Sequence, residues 1–163
     1  MSAAIHEQGE LQTLLSRSGS HLKEFGFVTL WKPYDRSTRT PAYAYTVGLA
    51  KRFRRPELLL FGQTHEASLV TVRTLVARYV RRGVAPPMDE PIRNVLGGIA
   101  LMVKPVRLER AARYMRLAVE YCQSVPVPCA VQQVVMPDFA GRYPWDAEYD
   151  TSFDRYQLRL FDS

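Results

Sequence analysis

The sequence predicts a single α+β domain, in which a mixed or antiparallel sheet of about five strands carries about three packed helices. The chain has 163 residues, enough for one core, and its 47% apolar and 23% charged residues are ordinary for a globular protein. Segments of helical and of strand-like apolar spacing alternate along it. No internal repeat interrupts that order, which favours helices packed on one sheet.

The first third of the chain predicts one helix followed by two strands. Apolar residues recur with near-helical spacing over 10–25, where Gly19 is a potential break. Strands are predicted at 27–31 and 43–49, paired antiparallel. Residues 1–9 are expected to form a flexible N-terminus, ahead of a single globular domain that covers 10–163.

The rest of the chain predicts three more strands and two more helices. The continuous apolar run at 57–61 is typical of an interior strand. Thr64 is a suitable N-cap for a helix that reaches about residue 82. The remaining predicted segments are a strand at 98–106, an amphipathic helix at 108–122, a strand at 129–136 and an irregular tail at 139–163.

Charge is unevenly distributed along the chain. Residues 1–136 hold 19 Lys and Arg against 10 Asp and Glu, a balance of +9, whereas residues 137–163 hold three against six, a balance of −3. Basic clusters at 51–55 and 78–82 and the arginines at 107–116 could bind nucleic-acid phosphates. Oppositely charged i,i+4 pairs in the last cluster instead favour solvated helix faces, so nucleic-acid binding is the weaker interpretation.

Several classes of protein are not indicated by the sequence. The apolar runs fall far short of the ~20 residues of a membrane helix, and the polar N-terminus lacks the apolar core of a signal peptide. We therefore expect a cytoplasmic protein with no membrane partner, in which Cys122 and Cys129 are reduced thiols. No zinc spacing, nucleotide-binding glycine loop or nucleophile motif is present, so neither a metal nor a cofactor is predicted.

Oxygen donors alternate from Asp146 to Asp154, as in the first half of a calcium-binding loop. The sixth position of such a loop would be Thr151 instead of glycine, and the twelfth would be Gln157 instead of glutamate. We therefore expect these carboxylates to pair with arginines or to solvate the surface. A weak magnesium contact is the remaining alternative.

Charged and aromatic side chains cluster around a predicted turn after the last strand. Asp138, Arg142 and Asp146 surround this turn, which contains a proline and a glycine. Arg142 could bridge the two carboxylates as a structural pin, and this is the interpretation we favour. It could instead hold an anionic group on which Tyr143 and Trp145 stack.

Three motifs follow one another along the chain. The first is Tyr43-Ala44-Tyr45-Thr46-Val47-Gly48-Leu49, and the second is Arg55-Pro56-Glu57-Leu58-Leu59-Leu60-Phe61-Gly62. The third runs from Gln133 to Asp146 and ends in Gly141-Arg142-Tyr143-Pro144-Trp145-Asp146. Together they resemble an uncharacterised bacterial family, domain of unknown function 4262, over about residues 24–160.

The resemblance implies a small soluble bacterial domain without an established activity. Two positions depart from the family pattern, because Arg55 replaces a histidine before Pro-Glu-Leu and Met136 replaces an aromatic residue before Pro-Asp. If that histidine is catalytic in relatives, this chain lacks it. The motif positions become candidate ligand- or partner-binding residues: Tyr45, Thr46, Gly48, Glu57, Asp138, Arg142, Trp145 and Asp146.

Three functional hypotheses follow, in order of preference. The first is a non-catalytic binding or regulatory module, for instance of the immunity type, that recognises a protein partner or a small anionic ligand through the Arg142–Trp145 region. The second is an enzyme whose carboxylates, Glu57, Asp138 and Asp146, form an acid–base site. The third is nucleic-acid binding through the arginine clusters.

Overall fold

Six strands form one mixed sheet in the computed structural model, which describes residues 2–162 and the side chains from residue 9 onward. Short turns of 3-10 helix lie at Val80–Arg82 and Thr151–Arg155. The strands are β1 (Val28–Lys32), β2 (Tyr43–Val47), β3 (Glu57–Phe61), β4 (Ile92–Leu96), β5 (Ile99–Val106) and β6 (Val131–Val135). The helices are α1 (Ser2–Phe25), α2 (Leu49–Phe53), α3 (His65–Arg78), α4 (Leu108–Ala111) and α5 (Arg116–Gln123).

The strand order is β1-β2-β3-β6-β5-β4, and β3 and β6 run parallel while the other neighbouring pairs are antiparallel. The predicted α+β class and mixed sheet are therefore confirmed, with six strands instead of about five. The strand that the sequence did not predict is β4. Asn94 has a positive φ of 59° there and the register shifts, so the apolar alternation that marks a strand is broken.

Each face of the sheet carries its own apolar core, because successive side chains of a strand point to opposite faces. One face packs against α1, α4, α5 and the C-terminal segment through residues such as Tyr45, Leu59 and Phe161. The other face packs against α3 through residues such as Leu58 and Leu75. We call these the α5 face and the α3 face.

The helices differ from the prediction in their bounds. α1 continues through Gly19 and begins at Ser2, within the segment expected to be flexible, while Met1 lies outside the described residues. Whether residues 1–9 are mobile stays a prediction. The predicted helix at 108–122 is divided into α4 and α5, and Tyr114 and the fully buried Met115, which lie between the two helices, both contact the α5-face core.

The short helix α2 includes the start of the basic run 51–55, where the sequence predicted no helix. Gly48 precedes it with φ +116° and ends β2 at Val47, earlier than predicted. The N-cap prediction for α3 is confirmed, since the Thr64 hydroxyl accepts from the Ala67 N–H at 3.1 Å. Of the described helices, none is long and apolar enough to span a membrane.

Candidate functional site

The candidate residues fall into two groups at opposite ends of the parallel β3–β6 pair. Glu57 begins β3 and is level with Val131 of β6, whereas Asp138 lies seven positions beyond Val131. At about 3.3 Å per strand residue, roughly 20 Å separates Glu57 from Asp138. The structure therefore does not assemble the acid–base site predicted from Glu57, Asp138 and Asp146.

The first group surrounds the buried carboxylate of Glu57. Its Oε2 accepts from the Thr46 hydroxyl at 2.6 Å, and its Oε1 accepts from the backbone N–H groups of Gly48 and Ala50 at 3.0 and 3.1 Å. The Thr46 hydroxyl in turn accepts from the Leu58 N–H at 2.9 Å. These bonds join the start of β3 to the turn between β2 and α2. They give the candidate residues Thr46, Gly48 and Glu57 a structural role.

Burial governs the protonation of this carboxyl. Desolvation raises the pKa of Glu57 to about 7, although the hydrogen bonds from Thr46 and the backbone N–H groups act in the opposite direction. The group is completely enclosed, so its proton does not face a substrate-accessible space. A raised pKa here is a property of the turn and not evidence of acid–base chemistry.

Gly48 and Tyr45 are also explained by packing. A Cβ on Gly48 would lie 2.6 Å from the carbonyl oxygen of Gly26, and its φ of +116° is strained for any other residue. Tyr45 is 2% exposed within the α5-face core, so its ring is not available to a ligand.

The second group is organised by Asp138. Its Oδ1 accepts from the N–H groups of Ala140 and Arg142, both at 2.9 Å. Its Oδ2 accepts from Arg142 Nε at 2.9 Å and from the Asp150 N–H at 3.0 Å. Desolvation alone would raise the pKa of Asp138, but these bonds together lower it to about 2. We call the segment 138–142, closed by these four bonds, the braced turn.

The predicted bridge between Asp138 and Asp146 is wrong. Arg142 pairs with Asp138, and its second carboxylate contact is Glu148 at 3.9 Å. Asp146 instead accepts from the Tyr143 N–H at 2.7 Å, because it closes the following turn. The Arg142 guanidinium already faces two carboxylates, which disfavours capture of a free anion there.

Trp145 also has partners within the protein. Its ring stacks on Tyr143 with centroids 5.1 Å apart and planes 7° apart, and Lys104 Nζ lies 4.3 Å from its centroid. Phe161 meets it edge-on. Because the side chains that could stack on a ligand stack on one another, the aromatic half of the predicted anion site is not supported.

Sequence reasoning missed Phe139, at the tip of the braced turn. Its side chain is 95% exposed, the highest value among the exposed large apolar residues described. It touches the ring of Phe153 edge-on at 4.7 Å, and Phe153 touches Tyr156, which is 45% exposed. These three rings form the aromatic patch. An apolar residue between Pro-Asp and Gly-Arg was the available signal, since turn tips are usually polar.

Two buried glutamines, also missed, hold the tail against β6. The Gln157 amide donates to the Met136 carbonyl at 2.7 Å and accepts from its N–H at 3.0 Å, as a neighbouring strand would. The side-chain amide of Gln133, in β6, likewise bonds to the backbone of the C-terminal tail. It donates to the Leu158 carbonyl at 2.5 Å and accepts from the Leu160 N–H at 3.1 Å. Polar residues inside an apolar strand were the signal for Gln133.

The arginine clusters are largely used inside the molecule. Arg107 and Arg110 pair with Asp162, and Arg116 pairs with Glu10. Arg78 donates to the carbonyls of Arg93 and Asn94. Arg55, which departs from the family pattern, donates to the Gly83 carbonyl and so joins β3 to the end of the α3 segment.

The alternating carboxylates likewise have local roles. Asp150 caps the Ser152 N–H at 2.9 Å, and Asp154 pairs with Arg159 at 3.0 Å. Within the described residues, no group of three or more His, Cys, Asp or Glu side chains could hold a metal ion.

The fold and the two networks define a small α+β domain whose signature residues brace turns at both ends of the central strand pair. The chain belongs to the family described as "Domain of unknown function (DUF4262)", which it matches over residues 21–150. This confirms the family resemblance found in the sequence. No curated protein and no solved structure matches the chain significantly.

Proposed function

We propose that the protein is a non-catalytic protein-binding module, of a regulatory or immunity kind, whose partner docks on the aromatic patch of Phe139, Phe153 and Tyr156. The observation that carries the proposal is the 95% exposure of Phe139 on a turn closed by four hydrogen bonds. A phenylalanine that is 95% exposed adds little apolar burial to the fold. Its burial in a partner would contribute about 1.5–3 kcal/mol.

The braced turn supports this role because it fixes the ring before binding. Docking of a partner then costs less conformational entropy than it would if the turn were a mobile loop that had to be ordered on binding. Asp138, which precedes Phe139, performs that fixing by accepting from the backbone N–H groups of Ala140 and Arg142, which follow it. The turn itself brings no apolar side chain to the core. The candidate residues Asp138 and Arg142 thus act in binding indirectly, by positioning Phe139.

Charge indicates the chemistry of the partner. The segment 137–163 has a balance of −3, and Asp146, Glu148 and Asp150 are exposed beside the turn. We therefore expect a partner with an apolar pocket rimmed by basic side chains. A cytoplasmic setting is consistent with this proposal, since Cys122 and Cys129 are both free thiols.

The experiment places a photo-crosslinking phenylalanine analogue at position 139, with the same analogue at Tyr34 as a control. Tyr34 is 56% exposed in a different loop. A partner crosslinked from 139 and not from 34 is purified, and its Kd is measured. Phe139→Ala should weaken that Kd by at least about tenfold, as for an aromatic hot spot, whereas Tyr34→Ala should leave it unchanged.

Equal losses in both variants, or no loss in Phe139→Ala, would contradict the proposal. Sedimentation of the purified protein alone identifies the case in which the captured partner is a second copy of the chain. The enzyme hypothesis lacks an assembled site, and the nucleic-acid hypothesis lacks a free arginine cluster as large as the sequence indicated.

A further inference from the structure

The outer edge of β1 is an open sheet edge. β1 ends the strand order and pairs with β2 alone. Two cavities of about 700 and 680 Å³ lie along it, and Phe27, Val28, Thr29 and Leu30 all line the first. Consecutive strand residues point alternately to opposite faces, so four in a row line one cavity only where the backbone edge is its wall. The second cavity continues past Leu30 to Lys32.

The other edge of the sheet is less suited to pairing with a further strand. Along β4, the Arg78 guanidinium covers the outward carbonyls of Arg93 and Asn94, and the register shift bends the strand. Such devices prevent an unpaired edge from recruiting another chain. β1 is therefore better suited than β4 to pair with an incoming strand, because two carbonyls of β4 are already hydrogen-bonded to Arg78.

The walls of the β1 cavities are apolar and basic. α1 contributes Arg17 and His21, and α3 contributes Leu69 and Arg73 at helical spacing. Arg81 completes the lining near the Phe25 carbonyl, to which it donates at 3.4 Å. We call this space, together with the β1 edge, the basic groove. Since cations stand on both the α1 side and the α3 side, either face of an added strand would meet positive charge.

The groove has few carboxylates of its own. No Asp or Glu is among the described residues that line the first cavity, and Glu10, in the second, pairs with Arg116. Arg17 and Arg73 form no ion pair with any described side chain. Two copies joined edge to edge would bring these arginines together, and like charges oppose that pairing.

We propose that the basic groove binds an extended acidic peptide segment of another protein, which adds to the sheet as a seventh strand beside β1. Backbone hydrogen bonds to β1 supply the affinity. Glutamate or aspartate side chains pair with Arg17, Arg73 and Arg81, while aliphatic side chains fill the space beside Phe27, Leu30 and Leu69. This surface is distinct from the aromatic patch and does not depend on the function proposed above.

The test uses a fluorescent ten-residue peptide with the repeating unit Glu-Glu-Val-Val, which places both residue types on each face of a strand. Anisotropy titrations compare it with a peptide carrying Lys in place of Glu and with one N-methylated at alternate amides. The protein variants are Arg17→Glu with Arg73→Glu, and Arg36→Glu with Arg113→Glu as a control of equal charge. Arg36 and Arg113 are exposed on a different part of the surface.

The acidic peptide should bind the native chain and the control, and lose at least about tenfold in affinity for the Arg17–Arg73 variant. The Lys peptide and the N-methylated peptide should bind at least about tenfold more weakly than the acidic one. Chemical shift changes in ¹H–¹⁵N spectra should concentrate on 27–32 and leave 92–96 unmoved.

The proposal is overturned by no binding of the acidic peptide, by unchanged binding after N-methylation, or by equally tight binding of a single-stranded oligonucleotide of the same charge. The last two would show that the groove recognises charge without pairing to a strand. Self-association of the free protein that the acidic peptide does not reverse would identify a second copy as the occupant instead.

Discussion

The hydroxyl of Thr46 donates to Oε2 of Glu57 at 2.6 Å and accepts from the N–H of Leu58, so one side chain serves both the carboxylate and the backbone beside it. All three groups are buried. The arrangement explains why a threonine and a glutamate from two separate motifs occur together. Each satisfies a polar group that would otherwise be buried without a partner.

Thr46→Val keeps the shape of the side chain and removes the hydroxyl. It should lower the free energy of unfolding by about 2–4 kcal/mol, because a carboxylate oxygen and an N–H are left unpaired. Chemical denaturation measures the change. Thr38→Val, at an exposed loop position, should stay within about 0.5 kcal/mol of the native protein. Similar small changes in both variants would show that the network contributes little.

Glu57→Gln should remove a pH dependence from stability. The pKa of Glu57 is raised from 4.5 to about 7 on folding, so its stabilising contribution is complete below pH 4.5 and is lost as the pH rises to 7. The free energy of unfolding of the native protein should therefore fall by up to about 3 kcal/mol relative to that of Glu57→Gln between pH 4.5 and 7. Denaturation of both proteins at several pH values gives the difference. A constant difference would mean that folding does not raise the pKa of Glu57.

Gly48→Ala should destabilise the protein by at least about 2 kcal/mol, since the added Cβ meets the Gly26 carbonyl and the backbone is in the left-handed region. Gly98→Ala is the matched control, because a Cβ added to Gly98 would have no other atom within 4 Å. Thermal unfolding of the two variants should separate them clearly. Equal Tm values would contradict the close approach between the end of α1 and the start of α2.

Asp138→Ala should open the braced turn while the sheet stays folded. Hydrogen exchange at the amides of Ala140, Arg142 and Asp150 should become faster, and partner binding should fall as far as it does in Phe139→Ala. In the native protein the pKa of Asp138 is lowered from 3.8 to about 2, so this protection should persist down to about pH 4 and disappear towards pH 2. Asp150→Ala keeps its own backbone N–H and should retain most of the protection.

The sequence predicted most elements whose signal is local. Apolar spacing located α1, α3 and five strands, and Thr64 marked a helix start correctly. Elements without such a signal were missed. Asn94, with its positive φ, breaks the apolar alternation of β4, and α2 is a short basic helix that begins directly after Gly48. The parallel pairing of β3 with β6 joins segments about 70 residues apart, and no local pattern specifies it.

The candidate site was predicted in part. The Asp138–Arg142 pair was expected, but Arg142 turns to Glu148 because Asp146 is held by its own turn. Phe139 was overlooked because an apolar residue is assigned to the core unless three-dimensional contacts show otherwise. The distance between Glu57 and Asp138 also depends on which end of a strand each occupies, and this requires the sheet order.

The parallel contact between β3 and β6 has a consequence for biosynthesis. The buried edge of Leu58, Leu59 and Leu60 is translated early, but the strand that covers it begins only at Val131. While the ribosome makes the intervening residues, the nascent chain carries an unpaired apolar edge that can aggregate. The centre of the sheet forms late, so folding should be slow for a domain of this size and sensitive to chaperones that shield the half-made chain.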